Sequence, residues 1–530
     1  MREGGGPHDR DKRVMNAVEA SSLIVWNTIW NLLGAVLPLL LALITVPLLI
    51  YSIGTERFGV LTIAWVVLGY FGLFDLGLGQ ATTKFLAEAF EHGRVVEGRG
   101  LFWTSLSLNA GLGLVGASAL ALLSPLLVSR VLNISIELQA EALGAFYLMA
   151  CAVPLVTLIA ALRGALEAQH RFALLNILQV PTSTLTQAAP LLVLPFSYDL
   201  TWLVGAIVFS RLLSLVAFFI VTSQQLESPF EGPFFLRKKV SSLFSYGGWL
   251  TVTNVVSPLM EYGDRFVIGS LSSMTAVAYY TTPFEAISRL LVLPYSLVRT
   301  IFPIFSSEAE LGNRTRVYLN AIKHLALVLA PIVATVILFA PDLLRLWVGE
   351  AFVENSTVVL QILAVGVFAN SLGMTTAILI QGLGRPDITA KFHMLELPLY
   401  LILLWYGVRH WGITGAAIAW TVRVSVDGLL LVFYIQLTHR LNYVSGRIQT
   451  YWSLTLCVLV VLSGCSLYAL TNSLSIKVAI WGLFLCIVFY GSWHRLLTAA
   501  ERQTLASYVS GTLVRVQAIF LSFKNGRSGR

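Results

Sequence analysis

The stretch PLMEYGDRFVIG, residues 258–269, places Glu261, Asp264 and Arg265 inside a run otherwise apolar enough to cross a bilayer. Each such charge at mid-membrane costs roughly 2.5–3.5 kcal/mol on insertion scales. On a helix, Asn254, Pro258, Glu261 and Arg265 fall on a single polar stripe, with Asp264 beside it. A stripe turned to lipid would be expelled, so this one faces protein or water. Pro258 frees a backbone carbonyl in mid-helix and permits a kink.

The surrounding chain sets the class. Its 530 residues are 57% hydrophobic and only 12% charged, with a mean hydropathy of +0.79. Soluble domains are about one-quarter charged. The expected fold is therefore an all-α polytopic membrane protein. A barrel is excluded, because its strands would alternate, whereas this chain has solid apolar blocks. Spans are expected at about 24–49, 58–75, 101–127, 143–162, 172–194, 200–221, 245–269, 275–303, 321–340, 357–381, 393–408, 413–436, 451–471 and 476–491, which makes about 14 transmembrane helices.

Lys and Arg favour one set of loops by about five to one, which puts both termini in the cytoplasm. The net charge of +8 comes from those loops and implies no nucleic-acid partner. The four cysteines sit in apolar blocks without metal-ligand spacing and read as packing residues. No Gly-Lys dipeptide, HExxH or GxSxG occurs, so neither an internal ATPase nor a hydrolase is expected, and no cofactor.

LLSPLLVSRVL near Pro125 resembles LFAPDLLRLWV near Pro341, and the exits RGALEAQHRF and QGLGRPDITAKF match at a similar offset. Six spans per unit keep the same orientation. Two six-helix lobes related by a pseudo-two-fold axis along the membrane normal follow, plus two extra C-terminal helices. The expected divisions are a cytoplasmic tail (1–20), an N-lobe (21–222), a linker (223–244), a C-lobe (245–440), spans thirteen and fourteen (441–494) and a cytoplasmic amphipathic tail (495–530).

Further polar groups answer the stripe. Glu285 and Arg289 form an i,i+4 pair, Arg299 follows, and Pro283 and Pro294 flank the pair. Arg423 and Asp427 repeat the spacing, Arg211 lies in span six, Asn27 and Asn31 lie in span one, and Asp75 precedes two glycines. Glu261 is expected to pair with Arg265, and Glu285 with Arg289. The Arg423–Asp427 pair can serve packing alone, and Asn31 can serve interhelical hydrogen bonding alone. The simplest common geometry is a hydrated cavity between lobes, where several guanidinium forks would suit an anionic ligand.

The segments LLIYSIGTERFGVLTIAWVVLGYFGLFDLGLGQATTKFLAE and YGGWLTVTNVVSPLMEYGDRFVIGSLSSMTAVAYYTTP carry a family likeness. With Gly54–Gly59, Asp75–Gly77 and the Asp264–Arg265 pair, they resemble bacterial oligosaccharide flippases. These form the polysaccharide-transporter branch of the multidrug/oligosaccharidyl-lipid/polysaccharide superfamily. The resemblance implies translocation of polyprenyl-diphosphate-linked oligosaccharide between leaflets of the bacterial inner membrane by alternating access. It implies coupling to proton or sodium, membrane lipid as a contact, a polysaccharide polymerase as partner, and no enzymatic activity. It also implies that Arg265, Arg289 and Arg299 contact diphosphate or sugar acids. Asp264, Glu261 and Glu285 would hold those arginines or carry a proton, and Asn254, Asn31 and Asp75 would line the same cavity. On this reading Arg265→Ala abolishes export and leaves the protein in the membrane.

Spans one and two lack the several basic residues of the peptidoglycan-precursor branch. Span one also lacks the acidic residue frequent in the drug-efflux branch. A cation-coupled multidrug exporter of the same fold, and a membrane glycan polymerase or ligase, stand as alternatives.

Overall fold

The computed structural model describes residues 41–73, 77–225, 235–306, 311–439 and 473–491, with the isolated positions 460 and 463. Asn27, Asn31, Asp75, most of span thirteen, and the N- and C-terminal tails lie outside the described residues. Helices α1 to α3 are Leu41–Ile53, Thr55–Leu73 and Leu78–Glu91. Next come α4 (Val95–Leu126), α5 (Ile136–Ala168), α6 (Phe172–Val193) and α7 (Leu200–Gln225). The chain continues through α8 (Arg237–Leu271), α9 (Met274–Ser288), α10 (Val292–Ser306), α11 (Leu311–Leu338) and α12 (Ala340–Val348). It closes with α13 (Glu350–Gly382), α14 (Pro386–His439) and α15 (Leu474–Gly491).

The protein is helical and crosses the membrane several times. Among the described residues, seven helices are each long and apolar enough to span it. Two elements depart from the expected spans. Helix α3 follows span two directly. Helix α12, short and amphipathic, begins where expected span nine ends, with Asp342 in its first turn and Arg345 in its last. Such helices have too few apolar residues in a row to register as spans.

Prolines act where the sequence placed them. Pro283 lacks an N–H, which leaves the carbonyl of Tyr279 without its helical donor. Buried Ser356 supplies one, its hydroxyl donating to that oxygen at 2.7 Å. Near Pro294 the expected span 275–303 runs on as α9 and α10, joined by a single 3₁₀ turn, Arg289–Leu291. Proline is tolerated there because it falls in the first turn of α10.

The fold divides into two compact units. The first comprises Met1–Leu290, Pro341–Leu363 and Asp387–Arg423; the second comprises Leu291–Ala340, Ala364–Pro386 and Val424–Arg530. The first unit thus draws residues from both sides of the expected 223–244 linker.

Within the first unit, the end of α8 is sealed by the α4–α5 connection. Asn133 donates from its side chain to the carbonyls of Ser270 (2.9 Å) and Ser272 (3.0 Å), and from its backbone to Gly269 (2.9 Å). Those carbonyls belong to a helix terminus that has no intrahelical donors left. Nearby, Arg57 and Glu141 form a bidentate pair at 2.7 and 2.9 Å. In the second unit, Tyr318 and Thr376 share a hydrogen bond at 3.0 Å, and the Trp481 indole donates to Thr335 at 2.9 Å.

Helix α14 reverses at Gly412, so its two arms supply the expected spans 393–408 and 413–436. The arms meet at Gly407 and Gly415, where a Cβ on Gly415 would run into the Gly407 carbonyl. Small residues allow such backbone contact between membrane helices. Gly415→Ala is expected to destabilise the protein by about 1–3 kcal/mol through overpacking. A lower melting temperature in detergent would register it.

Candidate functional site

The polar stripe meets its partners on α9, inside the first unit. Asp264 and Arg265 are both fully buried. Arg265 Nη1 donates to Asp264 Oδ1 at 2.8 Å and also to the Glu261 carbonyl. Arg265 Nη2 donates to Glu285 Oε1 at 3.3 Å. The second Asp264 oxygen accepts from the Tyr280 hydroxyl at 2.6 Å. The guanidinium lies 4.4 Å from the Phe284 ring and 5.2 Å from the Tyr262 ring. Phe284 is held in turn edge-on by Trp420 at 5.0 Å. A charge pair survives out of water only with such additional partners.

Arg289 Nη2 lies 3.8 Å from Glu285 Oε2, so Glu285 bridges two arginines of very different exposure. Arg265 is 0% exposed at its side chain, whereas Arg289 is 40% and Glu285 45% exposed.

Those two exposed groups open onto a cavity of about 320 Å³. Trp65 and Thr62 from α2 line it, with Gln187 from α6, Tyr262 from α8, and Thr281 and Thr282 from α9. The Thr281 and Thr282 hydroxyls are buried and make no hydrogen bond among the described residues. Unmet hydroxyls beside a cavity offer polar contacts to whatever enters it. Helices α2 and α9 can approach closely because Gly59 has no Cβ to strike the Met274 carbonyl. That gives the GxxxFG motif of Gly54–Gly59 a physical purpose.

The expected site residues therefore separate. Glu285 and Arg289 line the cavity. Asp264 and Arg265, expected on its wall, are fully buried and are not among the residues that line it; Tyr280 bonds the first and the Phe284 ring packs on the second. Glu261 is exposed, and Arg265 takes its backbone carbonyl while the neighbouring Asp264 carboxylate takes the charge. The Glu261–Arg265 side-chain pairing is thereby replaced. Arg299 is exposed on α10, in the second unit. Asn254 lies on α8, and its side chain is outside the described set. Arg423 stacks 5.6 Å from the buried Tyr400 ring. Arg211, on α7, has no ion pair among the described residues, and its neighbour Ser210 bonds Thr186 at 3.1 Å, beside cavity-lining Gln187.

Sequence reasoning missed Tyr280, Thr281, Thr282, Phe284 and Trp65. The hydroxyl-rich run YYTTP at residues 279–283 was the available signal, being unusually polar for a membrane span. Tyr280→Phe is expected to destabilise the protein by about 1–3 kcal/mol, since Asp264 loses a buried donor. Thermal unfolding of the purified variant measures this.

A model of the family described as "Polysaccharide biosynthesis protein" matches residues 24–309. A putative O-antigen transporter of Shigella flexneri is 32% identical over 413 residues, covering 77% of this chain and 96% of that protein. The lipopolysaccharide biosynthesis protein WzxC of Escherichia coli K12 is 22% identical over 415 residues, 77% of this chain and 80% of that protein. Among solved structures, lipid II flippase MurJ in an inward closed conformation aligns with a TM-score of 0.62 at 15% identity, covering 87% of this chain and all of that one. An inward-facing multidrug resistance MATE family transporter of the MOP superfamily aligns at 0.60 and 15% identity, covering 81% of this chain and 95% of that one. These two likenesses concern the fold, which is of the MATE and MurJ type.

Proposed function

The chain belongs to the polysaccharide biosynthesis protein family, and from that premise we propose that it flips a polyprenyl-diphosphate-linked oligosaccharide across the bacterial inner membrane for surface polysaccharide assembly. The observation that carries this reading is the half-exposed Arg289 at the wall of a cavity whose neighbouring charges, Asp264, Arg265 and Glu285, are paired with one another. A guanidinium presented in this way suits a phosphate or a sugar acid.

The division of labour follows from burial. Arg265 is committed to Asp264 and Glu285, so it positions Glu285 and does not meet substrate. Among the described residues Arg289 has one ion-pair partner, at 3.8 Å, a long and weak contact that an anion displaces. Thr281 and Thr282 add hydroxyls. A coupling ion, proton or sodium, competes with Arg289 for Glu285. At about 320 Å³ the cavity lies at the small end of ligand sites, about 300–1,000 Å³. It admits the headgroup region only, while the prenyl tail stays in lipid.

Deleting the gene should remove surface glycan and trap the lipid-linked unit on the cytoplasmic leaflet, with resistance to cationic dyes unchanged. Intact glycan together with dye sensitivity would favour the multidrug reading, and chain extension by purified protein would favour a polymerase.

A further inference from the structure

The motif RGALEAQHRF builds a second cavity that the transport reading does not use. It occupies about 450 Å³ where α3, α5 and α7 end and α4 and α6 begin. Arg99, His170 and Arg171 line it, with Gln169, Phe90 and the carboxylate of Glu91. Two arginines against one glutamate leave an excess of positive charge. By the Lys and Arg asymmetry, this end of the unit faces the cytoplasm.

The backbone here carries a specific anomaly. Three helix-to-helix turns share one pattern, in which a left-handed residue is followed by arginine. Gly93 donates to Phe90 and Arg94 to Ala89; Gly384 donates to Gln381 and Arg385 to Ile380; His170 donates to Glu167 and Arg171 to Leu166. The left-handed φ values are 66° at Gly93, 78° at Gly384 and 55° at His170. Glycine adopts this geometry freely, whereas an L side chain costs about 1–2 kcal/mol. His170 is the only non-glycine residue at positive φ among those described. The turn itself does not ask for histidine, but the cavity gains an imidazole beside Arg171.

We propose that this pocket binds a net-anionic phosphate. Arg171 and Arg99 supply the charge and His170 supplies a further hydrogen bond. Two sources share that chemistry, the headgroup of an anionic phospholipid and soluble phosphate. The surroundings point to lipid: Val96 and Phe172, immediately beside the pocket residues, are 58% and 54% exposed and give acyl chains an apolar surface. Basic pockets between membrane helices on the cytoplasmic side hold such headgroups. This assignment stands independently of the transported substrate.

The test is thermal unfolding of the full-length protein in detergent, titrated with short-chain phosphatidylglycerol, short-chain phosphatidylcholine or inorganic phosphate. Phosphatidylglycerol should raise the melting temperature of the wild type and phosphatidylcholine should not. In R171Q the apparent affinity should fall about tenfold, the loss of one charge-assisted contact. H170G should melt no lower than wild type without ligand, because the strain is relieved, yet should also lose affinity. An equal, variant-sensitive response to inorganic phosphate would assign the site to the soluble anion. No response of the wild type to either anion, or equal responses in wild type and both variants, would overturn the proposal.

Discussion

Arg265→Ala is expected to lower the melting temperature sharply and to reduce the amount of folded protein in the membrane. The substitution strands Asp264, fully buried, with Tyr280 as its remaining side-chain donor. Removing one partner of a buried pair destabilises by about 3–5 kcal/mol, because the other charge is left uncompensated. It also removes the group that holds Glu285 from the protein side. The double variant Asp264→Ala with Arg265→Ala should recover much of the stability, since no orphan charge remains. Unfolding curves for both single variants and the double give the coupling directly. A single variant as stable as wild type would contradict the buried-pair assignment. The expectation from sequence was different: loss of export with the protein intact. Full burial of the pair makes Arg265→Ala a folding variant first.

Arg289→Ala should behave in the opposite way. Its guanidinium is half-exposed and meets Glu285 only at 3.8 Å, so little packing is lost and the protein should fold as wild type does. Export should nevertheless fall on the order of 10–100-fold, the equivalent of one charge-assisted contact made to the substrate during passage. Arg289→Lys should be intermediate, because an ammonium keeps the charge without the planar fork. Surface glycan per unit of membrane-inserted protein measures all three. The contrast between a destabilised Arg265 variant and a stable but inactive Arg289 variant separates the buried base from the cavity wall.

Much of this was legible because charge in an apolar run is expensive and therefore conspicuous. Glu261, Asp264, Arg265, Glu285 and Arg289 announce themselves that way, and helical spacing correctly joined Glu285 to Arg289. Spacing could not say which face of α8 meets α9. The stripe through Glu261 and Arg265 suggested an ion pair at i,i+4, but the Arg265 guanidinium pairs with Asp264, which Tyr280 bonds in turn. Tyr280 comes from a separate helix, α9, whose approach to α2 depends on Gly59. No local pattern encodes that approach. Arg299 follows Arg289 in a continuous apolar block. Across the 3₁₀ turn at Arg289–Leu291 it falls on α10, in the second unit. His170 was inside a quoted motif, yet only the sign of its φ angle marks it as unusual.

The most direct measurement is translocation in proteoliposomes containing only the purified protein and a labelled polyprenyl-diphosphate oligosaccharide, with a membrane-impermeant glycosidase reporting which leaflet holds the glycan. Wild-type protein should expose glycan that began on the sheltered leaflet, and Arg289→Ala, equally folded and equally reconstituted, should leave it sheltered. Equal rates for the two proteins, or no transfer by the wild type under an imposed proton or sodium gradient, would contradict the account.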